Sequence, residues 1–172
     1  MDLLNFDQTS LYFEEPVAPA VQDLIAAASR AYGEPEAEAL LLRAYFLAPE
    51  SLLVLVAVYR YFFYQHRLEE ALLVGERSLH IVGRRLGFPD EWSRLHPDFL
   101  GQAVLRSMGL LRFYLHLLKA TGYVNLRLGR MEQGRGLIEK LIELDSYDRF
   151  GGKALLDTIV EAVAARIAEA AA

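Results

Sequence analysis

Apolar residues recur at three- and four-residue spacing along most of this chain, so its pattern predicts helices from about residue 19 onward. Val21, Leu24, Ile25, Ala28 and Ala31 form the first series, entered through Pro16 and Pro19. Gly33-Glu34-Pro35 predicts a turn, and a second series (Ala37, Leu40, Leu41, Ala44, Leu47) runs to Pro49. A third begins near Ser51 with Leu55, Val58, Tyr59 and Phe62. The polar break Gln65-His66-Arg67 separates it from a helix over about 68–84. Gly87-Phe88-Pro89-Asp90 predicts a loop. Pro97-Asp98 opens a long helical stretch to Leu128, with a bend expected at Gly109, and Gly129 ends it. Two more helices are expected over about 131–144 and 151–170. Alternating β-branched runs are scarce, so the pattern predicts an all-α protein. The first 15 residues mix acids with Leu3, Leu4, Phe6, Leu11, Tyr12 and Phe13, which predicts a tail able to dock.

Internal repetition narrows the fold. Residues 118–145 read LKATGYVNLRLGRMEQGRGLIEKLIELD, with small residues at Gly122 and Gly134, a turn at Leu128-Gly129-Arg130, and Ile138 and Leu141 as inner positions. Residues 52–79 repeat the scheme with Leu55, Val58 and Phe62, then Glu69-Glu70-Ala71-Leu72, Gly75 and Ser78. Residues 19–49 repeat it with Ala37, Ala44 and Pro49, their turn one residue short. These segments resemble tetratricopeptide repeats, which are units of about 34 residues made of two antiparallel helices. Ala37 and Ala71 stand at that spacing, whereas Ala71 and Gly134 are 63 apart, so an insertion is expected near 84–114. Tyr59 also departs from the scheme, standing where a small residue is usual. The resemblance implies antiparallel hairpins (about 19–49, 51–82 and 115–147) stacked as a short right-handed solenoid. A capping helix over about 151–170 closes a single domain spanning 16–172. In that last helix Ala154, Leu155, Ile159, Ala162, Val163 and Ile167 form the stripe that would cover the stack.

In such repeats the first helix of each hairpin lines a concave groove. The resemblance therefore places Leu53, Val56, Arg60, Phe63 and Tyr64 on that face in the middle repeat. His116, Lys119, Tyr123, Leu126 and Arg127 take the same places in the last. Of these, Arg60, Phe63, Tyr64, His116, Lys119, Tyr123 and Arg127 are the predicted partner-binding residues, because Arg and aromatic side chains combine broad contact with directed hydrogen bonds. Charge agrees with this. Residues 1–59 carry 2 basic and 9 acidic residues, residues 60–135 carry 12 and 7, and residues 136–172 carry 4 and 7. A basic middle would receive an acidic, apolar segment.

The remaining composition mainly excludes. No Cys is present, so disulfides, thiol catalysis and Cys-based zinc sites are ruled out. The acidic start Met1-Asp2 lacks the basic region of a signal peptide, and no apolar run reaches membrane-span length, since Arg60 interrupts the run from Leu52 to Tyr64. A cytoplasmic location is expected. Net charge of −5 argues against generic nucleic-acid binding.

Motifs of catalysis are superficial. His96-Pro97-Asp98 resembles the loop tripeptide of J-domains but follows a broken helix and reads as a helix start. Gly129 to Gly136 resembles a P-loop without its Lys or Ser/Thr. Glu76 and His80 share a helix face, but two ligands make a poor metal site. No catalytic residue, metal or cofactor is expected. The expected function is a protein-binding module, adaptor or chaperone-like; Leu144 to Phe150 also resembles a stretch in the tetratricopeptide chaperones of type III secretion. A structural subunit or homodimer burying the same face is the alternative, and an enzyme with a site between helices is the third.

Overall fold

Prolines and small residues set where the helices begin and how closely they pair. In the computed structural model, which describes residues 16–159 and residue 161, Pro19 and Pro35 occupy first turns, where a missing N–H costs nothing. They open α1 (Pro19–Arg30) and α2 (Pro35–Leu47). Then follow α3 (Leu52–Tyr64), α4 (Leu68–Leu86), α5 (Leu100–Arg106), α6 (Met108–Arg127) and α7 (Met131–Leu144). A last helical segment, α8, starts at 152 and is described to 159. No strand occurs among the described residues. The predicted tail over 1–15 and the capping helix beyond 161 lie outside them.

Helices α1 and α2, α3 and α4, and α6 and α7 pack as antiparallel pairs; α3 packs on both α1 and α2, and α4 on α6. Two apolar clusters fill the interfaces. One joins Val21, Leu41, Val54, Val58 and Leu72. The other joins Leu55, Ile81, Val82, Leu118 and Leu141, and Tyr45 and Val74 pack against both.

The turns of the second and third pairs are the same turn. The amide of Arg67 donates to the Phe62 carbonyl at 2.9 Å, and that of Arg130 to the Asn125 carbonyl at 2.9 Å. His66 (φ 58°) and Gly129 (φ 78°) take the left-handed position that lets the chain reverse. Ion pairs tie the pairs together: Arg67 meets Glu38 of α2 at 2.6 Å, Arg84 meets Glu50 at 2.7 Å, and Arg130 meets Glu69 of α4 at 2.8 Å.

The segment between the pairs departs from the expected continuous helix. After Gly87 it forms two single 3-10 turns, Trp92–Arg94 and Pro97–Phe99, and then α5. The break falls at Ser107, not Gly109. Ser107 is extended (φ −166°, ψ 110°), and its Oγ accepts the Leu110 amide at 3.1 Å. A serine hydroxyl satisfies an orphan donor at a helix start, which outweighs the weak helix-breaking of one glycine.

Candidate functional site

On α1, Gln22, Ile25 and Ser29 recur at helical spacing without being buried in the core, and Tyr32 follows in the turn just after the helix. On α3, Leu53, Arg60, Tyr61 and Tyr64 do the same. Because α1 packs on α3, the two faces enclose a groove of about 680 Å³. Its floor is Ala28, Leu41 and Ala57, small or apolar side chains that keep it deep. Its rim carries hydroxyls. Tyr32 and Tyr61 meet edge to face with ring centroids 6.4 Å apart, and Tyr32 is 54% exposed. Burial, and then the Glu38 carboxylate, push the Tyr61 phenol above its ordinary value, so it remains a neutral donor. The groove is therefore apolar within, phenolic at its edge and basic at Arg60.

The seven residues expected to bind a partner do not form one surface. Arg60 and Tyr64 line this groove. Phe63 lies at the junction of α3 with α6, stacked on Tyr59 (5.9 Å, 15°) and against Tyr123 (6.3 Å). Arg127 joins that cluster, lying 5.8 Å over the Tyr123 ring and donating to its hydroxyl at 3.2 Å. His116 and Lys119 are committed elsewhere. His116 is buried against Phe150, ring centroids 4.6 Å apart, and Lys119 Nζ donates to the Phe150 carbonyl at 2.6 Å. Desolvation, together with the charges of Arg112 and Lys119, lowers the His116 pKa to about 4, so it is neutral at neutral pH.

The loop that covers His116 holds itself in place. The Asp145 carboxylate accepts the Phe150 amide at 2.7 Å, and Asp148, at φ 50°, accepts the Lys153 amide at 3.1 Å. Sequence reasoning missed both this cover and the contribution of α1. The face of α1 could have been found, since Gln22, Ile25 and Ser29, continued by Tyr32 in the following turn, repeat every three or four residues. The cover could not, because nothing local says which helix Phe150 will meet.

No group of three or more His, Asp or Glu is placed to hold a metal ion among the described residues. No helix among them is long and apolar enough to cross a membrane. No family model matches the chain, and no solved structure matches it. Over 161 residues, 94% of this chain and 90% of the relative, it is 48% identical to the uncharacterized 19.8 kDa protein in the nifW 5′ region of Azotobacter chroococcum mcd 1, and it belongs to the same family as that protein.

Proposed function

We propose that this chain is a protein-binding module of the adaptor or chaperone-like kind. Its helix pairs stack in the tetratricopeptide manner, and the groove between α1 and α3 holds an apolar segment of another protein that carries an acid. The observation that supports this is the groove itself: about 680 Å³, apolar inside, with Tyr32, Tyr61, Tyr64 and Arg60 lining it. That volume falls in the usual range of about 300–1,000 Å³ for ligand pockets. Tyrosine and arginine are over-represented among the residues that dominate binding energy. The identical turns of the second and third pairs support the repeat reading.

The test is a photo-crosslinking residue placed at Leu53, inside the groove, and separately at Leu105, which is 87% exposed on α5. In the native host, protein adducts are expected from position 53 only. They should fall by about tenfold when Arg60 is changed to Glu. Equal adducts from both positions, or adducts at 53 indifferent to Arg60→Glu, would remove the groove as the binding site. Adducts made only with other copies of the chain would favour the homodimer instead.

A further inference from the structure

A second cavity, of about 210 Å³, lies between α4, α6 and α7 and is closed on one side by the segment 89–92. It is many times larger than the room one water needs, about 15 Å³. Its polar groups are unusual for a helix interface. Tyr114 of α6 lines it and is only 2% exposed. Thr121, two turns along the same helix, also lines it and is 1% exposed, and its buried Oγ1 has no hydrogen-bond partner among the described residues. Buried hydroxyls are nearly always satisfied, so one left open beside a cavity points to an occupant with hydrogen-bonding groups.

The mouth defines the charge of that occupant. Glu76 and Asp90 line it, and neither enters an ion pair among the described residues. Glu38, Glu50, Glu69 and Glu70, by contrast, each meet an arginine. Trp92 forms part of the wall and lies against α7, where a Cβ on Gly136 would stand 3.3 Å from its Cη2. An indole face attracts cations. A metal ion does not fit, because Glu76, His80 and Asp90 do not come together as a metal-holding group among the described residues. A guanidinium does fit. It is planar, weakly hydrated, stacks on aromatic rings and offers five donors to separated carboxylates and hydroxyls.

We propose that this cavity is a binding site for an alkylguanidinium group, carried by an arginine of a partner or by a free small guanidine. The site is independent of the α1/α3 groove, and either can fail without the other. Trp92 is the single tryptophan of the chain, so its emission reports on this cavity alone.

The test titrates the full chain with agmatine and, separately, with a blocked arginyl dipeptide. The corresponding citrulline dipeptide serves as the neutral control. A saturable change in Trp92 emission is expected with the guanidines, with citrulline weaker by about tenfold or more. Glu76→Gln with Asp90→Asn should weaken guanidine binding by about tenfold, and Tyr114→Phe by a few-fold, with the melting transition preserved in both. A dipeptide that binds more tightly than agmatine assigns the site to a partner's arginine; the reverse order assigns it to a free guanidine. No saturable change up to about 10 mM, an equal response to citrulline, or unchanged affinity in the folded carboxamide variant would each overturn the proposal.

Discussion

The second and third helix pairs solve one packing problem in opposite ways. Shifted by 63 residues, Tyr59 corresponds to Gly122, Gly75 to Ile138, and His66 to Gly129. In α6/α7 the first helix is small and the second large: a Cβ on Gly122 would stand 2.7 Å from Ile138 Cδ1. In α3/α4 the first is large and the second small: a Cβ on Gly75 would stand 3.5 Å from the Tyr59 ring. Close helix approach needs complementary volumes at a crossing, and it does not matter which helix carries the bulk. The same shift relates Leu53 to His116. One lines an open groove and the other lies beneath Phe150, so equivalent positions in the two pairs have different uses.

The largest effect expected from breaking this comparison is at Tyr59. Tyr59→Ala should destabilise the fold by about 4 kcal/mol in urea denaturation, because a buried ring is replaced by a void. Combining it with Gly75→Ile, which copies the arrangement of the other pair, should cost at least about 1 kcal/mol less than the two single changes summed. Simple additivity would show that the two pairs are not interchangeable solutions.

Next comes Gly134. Its Cβ would stand 2.6 Å from Leu126 Cγ and 2.9 Å from the Gly122 carbonyl oxygen, and a backbone atom cannot give way as a side chain can. Gly134→Ala should cost about 2 kcal/mol even after the gain in helix propensity. Gly75→Ala, which meets only side chains, should stay within about 1 kcal/mol of the parent. Equal melting temperatures for the two variants would contradict the distinction.

His116 gives a pH signature that Leu53 cannot. Its folded pKa of about 4 lies below the ordinary value near 6.5, so the unfolded chain binds the proton more readily. Its contribution is therefore fully present above about pH 6.5 and is lost as pH falls through 4, by about 3 kcal/mol in all. His116→Phe should flatten that part of the stability profile. A profile unchanged by the substitution would mean another group titrates there.

The smallest effect is at the turns. His66 holds a positive φ that costs a side chain about 1 kcal/mol, so His66→Gly should be neutral to slightly stabilising. Gly129→His should lose about 1 kcal/mol by the same logic. Thermal melts of the two variants compare the turns directly.

Much of the fold was legible locally. The prolines at 19 and 35, the break at 65–67, Gly129 and the three-to-four spacing of Leu, Ile and Val placed five helices to within a few residues. The bend expected at Gly109 falls at Ser107, where the side-chain cap on the Leu110 amide starts a new helix two residues earlier. The site was less legible. Arg60 and Tyr64 line the groove as their helical register requires, since register is fixed by sequence spacing. His116 and Lys119 share that register, yet both are taken by the Phe150 loop.

The sequence by itself determined the helices, their turns and which face of each is apolar, because these depend on backbone propensity and on periodicity within a few residues. Only the tertiary structure decided which faces stay open. Whether α1 meets α3 to form a groove, whether Phe150 closes over His116, and whether Trp92 walls a cavity beside Tyr114 are contacts between distant segments. They are set by the shapes that meet when the pairs pack, and no local pattern encodes those shapes.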